Sequence, residues 1–243
     1  MTLAFTAACG IDYGTNSGTN TGTPPEATIS ATGDITAKVA EFRTLLGDPS
    51  NGGTAGEQAA GRREITWDGA GANPFNNKND FPATFFNTNV KSGAVFSTPG
   101  SGFRNDSLKF AEVNAEYAAE FSAFSPTKVF SPVGSNVMDV IFQVAGEPTA
   151  AQVTGFGAIF SDVDVDGATK LEFFNAIGTK LATVVAPRRS DAAGLSFVGA
   201  KFATALVARV RITLGTGALG ALAKDVTGGG AADLVVVDNF IYG

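Results

Sequence analysis

Short runs of alternating apolar and polar residues dominate the chain from residue 62 to its end, with Gly, Pro, Asn and Asp between them. Alternation with a period of two places every second side chain on the same face of a strand. In LVARVRITL, for example, Ala208, Val210, Ile212 and Leu214 share one face. The pattern predicts strands at 62–67, 84–90, 93–98, 107–113, 127–130, 136–145, 154–162, 169–175, 179–185, 194–202, 206–214 and 232–242.

These short strands, without long helices between them, predict an all-β fold in which two antiparallel sheets pack face to face. The jelly roll is the sandwich of this type that we expect. Two segments carry local detail. TKLEFFNAIGTKLATVV predicts a hairpin that turns across 175–178, and NVMDVIFQVA places Met138, Val140, Phe142 and Val144 on a core-facing side.

The chain before residue 62 has a different pattern. Residues 10–33 are mostly Gly, Thr, Ser, Asn and Pro, which predicts a flexible linker. Residues 34–243 form the predicted sandwich domain. It begins with an amphipathic helix at 34–47, where Ile35, Val39, Phe42 and Leu46 follow helical spacing, Asp34 is a candidate cap and Gly47 fits the end.

Residues 1–9, MTLAFTAAC, resemble the end of a bacterial lipoprotein signal, in which Cys9 would carry a lipid anchor. Thr6 stands where that motif prefers Leu. The alternative is a free thiol on a loose chain end, since a single cysteine has no internal disulfide partner. No apolar run is long enough for a transmembrane segment. The expected location is extracellular, or anchored at the outer surface of a bacterium.

Composition excludes several classes of function. The chain contains no histidine, which rules out a Ser-His-Asp triad and histidine-ligated zinc or haem. Its formal charge of −6 and the absence of a basic cluster argue against nucleic-acid partners. Phenylalanine, at 20 residues against one Trp and three Tyr, is expected to fill the core.

The stretch FSDVDVDGATKLEFF carries three alternate aspartates, Asp162, Asp164 and Asp166. An EF-hand loop would need a carboxylate at the twelfth position, where Phe173 stands. On a strand, the three carboxylates would continue the face of the preceding aromatics. We therefore expect a strand end that leaves the core into solvent, with a calcium ion between the carboxylates as the alternative.

A further aspartate lies in the last predicted strand, ADLVVVDNFIYG. Strict alternation places Asp238 in the middle of the apolar face of Leu234, Val236, Phe240 and Tyr242. A buried carboxylate needs an arginine, several backbone N–H groups or a metal ion as partner. The same argument applies to Asp68, beside the only tryptophan, Trp67.

The ending VVVDNFIYG is similar to the final strand of galactose-binding-like jelly rolls and of many carbohydrate-binding modules. In those proteins an Asp of this strand and residues of the first strand hold a structural calcium. The resemblance implies Asp238 as the C-terminal ligand and Glu64 or Asp68 as the N-terminal one, although Asn239 replaces the second Asp of the usual pair. The segments GRREITWDG, GAVFSTPGSGF, FSPTKVFSPVGSNVMDVIF and GFGAIFSDVDVDGATKLEFF also resemble an uncharacterised family of secreted bacterial proteins.

Three hypotheses for function follow. The first is a non-catalytic binding or adhesion module with a structural Ca²⁺, and its partner would be a glycan or a surface polymer. The loop at 73–89, rich in Asn, is the candidate contact, with an ordinary long turn as the alternative. The second is a glycoside hydrolase or lyase that uses acids among Glu64, Asp68, Glu112 and Glu172. The third is a surface protein that self-assembles through its edge strands.

Overall fold

A computed structural model describes residues 22–68, 74–189, 191 and 193–243. The helices are α1 (Thr36–Leu46), α2 (Phe85–Thr88) and α3 (Tyr117–Glu120). The strands are β1 (Ala27–Thr32), β2 (Arg63–Ile65), β3 (Ala94–Ser97), β4 (Gly102–Asp106), β5 (Val129–Val133), β6 (Val137–Phe142), β7 (Gly155–Ser161), β8 (Lys170–Phe174), β9 (Lys180–Val185), β10 (Leu195–Lys201), β11 (Arg209–Thr213) and β12 (Val236–Tyr242).

The strands form two antiparallel sheets. The seven-stranded sheet has the order β1-β10-β7-β12-β5-β4, with β2 also paired to β12, and the five-stranded sheet has the order β3-β6-β11-β8-β9. Strands β5 to β12 pair as a nested set: β8 with β9, β7 with β10, β6 with β11, and β5 with β12. This is one long hairpin folded over on itself, as in a jelly roll. The predicted all-β sandwich is confirmed.

The core lies between the two sheets and is strongly aromatic. The indole of Trp67 stacks on the ring of Phe130, with centroids 3.9 Å apart and planes 8° from parallel. Phe96 and Phe240 meet the same indole at steeper angles. Burying large aromatic surfaces is the main driving force that a sandwich of this size has available. Most phenylalanines of the described residues are therefore packing residues, as the composition predicted.

Helix α1 packs on the outer face of the seven-stranded sheet through Val39, Phe42 and Leu46. The Phe42 ring lies over Gly157 and Gly199, which are paired across β7 and β10. A Cβ atom on either glycine would come within 2.8 Å of that ring. Two facing glycines thus provide the flat surface on which the helix rests.

This contact gives a first prediction. Gly199→Val should displace Phe42, because the new Cβ would lie 2.7 Å from the ring. We expect a loss of about 1–3 kcal/mol in the free energy of unfolding, the usual cost of overpacking. Urea denaturation measures it, with Gly220→Val as the control, since no atom lies within 4 Å of a Cβ there. Equal stability of the two variants would contradict the described docking of α1.

Several local predictions are confirmed. Met138, Val140, Phe142 and Val144 are all buried, and the β8–β9 hairpin turns through 175–178 as expected. The helix predicted at 34–47 is α1. Asp34 accepts a hydrogen bond from the Thr36 N–H, and Gly47 ends the helix with a φ of 100°.

Two predicted strands are wrong. The segment 84–90 contains the short helix α2, whose consecutive Phe85 and Phe86 are both buried, a pattern that strand alternation does not produce. The segment 107–113 is a turn, because the Asp106 carboxylate accepts hydrogen bonds from the N–H groups of Leu108 and Phe110. The strand that the structure forms here, β4, lies just before this turn. Its sequence, Gly-Phe-Arg-Asn-Asp, does not alternate between apolar and polar residues.

The predicted linker is also partly wrong. Residues 27–32 form β1, which pairs with β10 along its whole length, from Ala27 opposite Lys201 to Thr32 opposite Ser196. Its sequence, ATISAT, has only Ile29 as a buried apolar anchor, so composition alone indicated a linker. Pairing with an already formed sheet supplies the ordering that composition does not. The rest of the expected linker up to residue 21, and Cys9, lie outside the described residues.

Candidate metal centre

Five carboxylates meet at one end of the sandwich, and we call them the acidic cluster. They come from three connections that are distant in sequence: between β4 and β5, between β7 and β8, and between β11 and β12. Because β12 starts opposite the end of β7, with Val236 paired to Ser161, the β7–β8 and β11–β12 connections meet at that end of the sheet. The β4–β5 connection reaches the same place where the Ser122 N–H donates to the Ser161 hydroxyl. The members are Glu120, Asp162, Asp164, Asp225 and Asp233.

Asp162 and Asp164 reach the cluster because the chain turns sharply at the end of β7. Asp162 has a φ of 71°, a left-handed conformation that Asp tolerates better than most residues, and its N–H donates to the Gly194 carbonyl. Val163 between them is buried in the sandwich core. The turn therefore directs both carboxylates away from the core but not into solvent.

Asp225 and Asp233 are held by backbone hydrogen bonds. Asp225 accepts from the N–H groups of Leu234 and Thr227, both at 2.7 Å. Asp233 accepts from the N–H groups of Asp164 and Val165, each at 3.2 Å. These bonds tie the β11–β12 connection to the end of β7 and fix the positions of two carboxylates.

The cluster is buried and lacks compensating charge. The exposed fractions are 0% for Asp162 and Asp233, 3% for Asp225 and 5% for Asp164. Neither oxygen of Asp162 or of Asp164 accepts a hydrogen bond from an N–H or hydroxyl group among the described residues. The carboxyl groups of Glu120 and Asp225 lie within hydrogen-bond reach of Asp162 and Asp164, respectively, and a bond between two carboxyl groups needs a shared proton. Among the described residues, no lysine or arginine forms an ion pair with any of the five carboxylates.

Burial without compensation shifts the titration of the cluster. Burial raises the pKa of Asp162 from 3.8 to about 9, and the negative charges of Asp164, Asp225 and Glu120 add to the shift. Burial also raises the pKa of Asp164, to about 7, and the neighbouring Asp225 carboxyl adds to it. The pKa of Asp233 is raised by burial as well, against the N–H groups of Asp164 and Val165 that lower it. Either protons or cations must therefore neutralise the site.

The donor set fits calcium. One oxygen each from Glu120, Asp162 and Asp225 lie within 4.8 Å of one another, as do oxygens of Asp164, Asp225 and Asp233. Ca²⁺ takes oxygen ligands at about 2.3–2.6 Å, so oxygens that far apart can share one ion. Mg²⁺ usually keeps several water ligands, which a buried site does not favour.

The structure changes the expectation for the three alternate aspartates. Asp162 and Asp164 are buried, so the predicted solvated strand end is wrong for them, and only Asp166 is exposed. The reason is the turn at Asp162, which breaks the alternation on which the prediction rested.

Asp238 lies elsewhere, at a bulge in the middle of β12. The pairing with β7 shifts between Val237 and Phe240, so the strand faces exchange there. Val237, Phe240 and Tyr242 face the sandwich core, whereas Leu234 and Val236 contact a separate apolar cluster. The single face predicted for Leu234 to Tyr242 is wrong, because the bulge adds a residue to the alternation.

The sequence left three kinds of partner open for the buried Asp238: an arginine, backbone N–H groups or a metal ion. In the structure, backbone N–H groups are its partners. Its carboxylate accepts from the N–H groups of Phe124 and Ser125, at 2.6 and 3.0 Å. The Ser125 hydroxyl lies 2.8 Å from Asp238 and 2.7 Å from Asp68. One hydroxyl hydrogen cannot serve both carboxylates. Burial raises the pKa of Asp238 to about 7, so a proton on this group supplies the missing hydrogen below that pH.

The other residues expected at this place are engaged separately. Glu64 forms an ion pair with Arg43 and accepts a hydrogen bond from the Asn239 amide at 2.7 Å. Asp68 accepts from the Thr127 N–H and hydroxyl. Glu64 is thus directed to α1, whereas Asp68 and Asp238 join the 124–127 segment to the strands.

Sequence analysis missed three members of the acidic cluster: Glu120, Asp225 and Asp233. Each is a single acid without a periodic pattern around it, and 113 sequence positions separate Glu120 from Asp233. Only the strand order brings them to Asp162 and Asp164. The available signal was indirect: the jelly-roll order pairs the end of the seventh strand with the start of the last one.

The remaining candidates are engaged in structural contacts. Glu112 and Glu172 form ion pairs with Arg104 and Lys180, at 3.0 and 3.1 Å. In the 73–89 loop, Asn87 is buried and donates to Gln143, and Asn76 donates to Ser107. These contacts fit the interpretation of the segment as an ordinary long turn.

A cleft of about 680 Å³ lies between the 47–63 loop and the 142–154 segment. Its wall mixes apolar groups with polar ones such as Arg62, Gln143, Gln152 and Thr154. Trp67, Tyr117 and Tyr242 are all buried and present no aromatic face to solvent.

Among the described residues, no helix has the length and apolarity that a membrane-spanning helix needs. Comparison with protein-family models, curated proteins and solved structures gave no match for this chain.

Proposed function

We propose that the protein is a non-catalytic β-sandwich module whose acidic cluster binds structural Ca²⁺ outside the cell. One observation carries the proposal: Asp162 and Asp164 bury four carboxylate oxygens that have no N–H or hydroxyl donor and no cationic side chain as partner among the described residues. Burying unpaired carboxylates is strongly unfavourable, and a divalent cation relieves both the desolvation and the mutual repulsion.

The ion would act as a crosslink. Its ligands belong to three connections at one end of the sandwich. These connections are not paired into the sheets, so a shared ion would hold them together. Because the carboxylates repel one another without the ion, calcium binding and folding are coupled. Extracellular calcium modules work at calcium concentrations of about 0.1–1 mM, which supports an extracellular or surface location.

A binding or adhesion role is the second part of the proposal. The cleft beside Arg62, with its amide and guanidinium groups, suits a partner that is recognised through hydrogen bonds, such as a glycan or surface polymer. The buried Trp and Tyr residues disfavour a ligand that stacks on an aromatic platform.

The enzyme hypothesis has less support. Glycoside hydrolysis uses two carboxyl groups on either side of the scissile bond, in different environments. Glu64, Glu112 and Glu172 are each paired with a basic side chain, and Asp68 is bound to hydroxyl and N–H donors. The members of the acidic cluster with raised pKa values are too buried to meet a polymer.

Self-assembly through edge strands is disfavoured at only part of the sheet edges. Residues 76 and 78 pair with Asn105 of β4, and Gly22 approaches the backbone of Lys180 and Leu181 in β9, which leaves less room for a strand from another molecule there. The sheets also end at β1 and β3, so the hypothesis depends on those two strands.

Thermal unfolding with and without calcium tests the proposal. A thousandfold excess of calcium over its dissociation constant should stabilise the protein by about 4 kcal/mol, which corresponds to roughly 10 °C in melting temperature for a chain of this size. Magnesium at the same concentration is the control and should give a much smaller shift. Superimposable melting curves in calcium and in EGTA would contradict calcium binding. Glycan-array binding in both buffers then tests the adhesion role separately.

A further inference from the structure

The acidic cluster consists of two triads that share one residue. Glu120, Asp162 and Asp225 form the first, and Asp164, Asp225 and Asp233 form the second. In each triad, one oxygen per residue lies within 4.8 Å of the others. Two oxygens that bind one Ca²⁺ at about 2.3–2.6 Å can lie up to about 5 Å apart. The oxygens of each triad are therefore close enough to share one calcium ion.

The two unpartnered aspartates belong to different triads. Asp162 is in the first and Asp164 is in the second. One ion in the first triad leaves both buried oxygens of Asp164 without a partner, and one ion in the second leaves those of Asp162. When all the carboxyls are ionised, two ions are needed to give both side chains a partner.

Asp225 is positioned to bridge. Its Oδ1 accepts from the Leu234 N–H and its Oδ2 accepts from the Thr227 N–H, so both ends of the carboxylate are fixed. Oδ1 keeps a second lone pair for a cation. The Thr227 hydroxyl lies within hydrogen-bond distance of both Glu120 and Oδ2 of Asp225. Its single hydrogen must go to Glu120 if Oδ2 is to keep a lone pair for the second cation.

The charge balance also favours two ions. Four of the five carboxylates are buried and Glu120 is half-buried, so five ionised carboxylates with a single divalent cation would leave three negative charges at a largely buried site. None of the ion pairs among the described residues brings a lysine or arginine to them. A second divalent cation leaves one. Residual charge at a buried position is costly, so the second ion removes most of the repulsion that the first would leave.

We propose that the acidic cluster binds two calcium ions side by side, bridged by the Asp225 carboxylate. This inference rests on the proposed function, because it specifies the number and arrangement of the same ions.

Stoichiometry tests it. Chelator-treated protein is titrated with CaCl₂ at pH 8, and bound calcium is counted by equilibrium dialysis and by native mass spectrometry. The expected result is two ions per wild-type chain, one each for Asp162→Ala and Asp164→Ala, which remove the ligand oxygens, and two for the control Asp166→Ala, whose side chain is exposed. Far-ultraviolet dichroism confirms that every variant is folded.

The outcomes are distinguishable. One ion per wild-type chain would overturn the bridged pair and leave the proposed calcium module standing. No bound calcium would overturn both. The wild-type count decides the question even if a variant fails to fold. If wild type binds two ions and Asp162→Ala still binds two, the assignment of Asp162 to one of the ions is wrong.

Discussion

The double substitution Asp162→Asn with Asp164→Asn is expected to stabilise the calcium-free protein and to destabilise the calcium-bound one. At pH 9 in EGTA the wild-type cluster carries buried negative charges without partners, and the two amides remove them while donating hydrogen bonds to Glu120 and Asp225. We expect a gain on the order of 2–4 kcal/mol, in the range observed when buried charges are replaced by neutral groups. In calcium the variant offers neutral amide oxygens instead of two carboxylates, so it binds the ion more weakly and should melt below the wild type.

The sign reversal is the informative feature of this experiment. Thermal unfolding of both proteins in EGTA and in calcium measures it, and Asp166→Asn, at an exposed position of the same turn, serves as the control with the wild-type response. A double variant that is less stable than the wild type in both buffers would mean that the two carboxylates make favourable contacts without an ion. That outcome would contradict the described cluster.

Stability of the calcium-free protein is expected to fall as the pH rises from about 4 to about 9. The carboxyls of Asp162, Asp164 and Asp238 have folded-state pKa values of about 9, 7 and 7, against 3.8 in the unfolded chain. Between these values the folded state binds more protons than the unfolded state, so each rise in pH favours unfolding. Each unit of pKa shift corresponds to about 1.4 kcal/mol. We therefore expect a loss of several kcal/mol over this range.

Calcium should reduce this pH dependence. The ion binds the ionised carboxylates, so it displaces the protons of Asp162 and Asp164 and stabilises the folded state most where those groups are already ionised. Urea denaturation between pH 4 and pH 9, in EGTA and in calcium, gives both curves. A calcium-free protein whose stability rises steadily over this range would contradict the raised pKa values. Near pH 7, calorimetry in buffers of different ionisation enthalpy should detect proton release on calcium binding.

Much of the fold follows from the sequence because alternation is a local signal. The strands whose faces differ most in polarity, β6 and β11, were predicted with the correct core residues. The failures occur where tertiary pairing decides the structure. β1 and β4 lack an alternating pattern and are ordered by their partners β10 and β5. At 84–90, two adjacent phenylalanines reach the core from a helical turn, which no strand allows.

The site was less predictable. The repeated aspartates at 162 and 164 showed where negative charge concentrates, but a strict strand model placed them in solvent. The positive φ at Asp162 reverses that conclusion, and a single left-handed residue leaves almost no trace in sequence. For Asp238 the requirement for a partner was evident from burial. The partner itself, the N–H groups at 124 and 125, depends on a bulge that the alternation did not indicate.

The central claim is that divalent cations, rather than protons, neutralise the acidic cluster. A crystal structure of the protein grown with CaCl₂, with data collected at a long wavelength, tests it most directly because calcium scatters anomalously there. We expect anomalous peaks about 2.3–2.6 Å from oxygens of Asp162 and Asp164. Absence of any peak, with the Asp162 and Asp164 carboxyls hydrogen-bonded directly to Glu120 and Asp225 through shared protons, would contradict it.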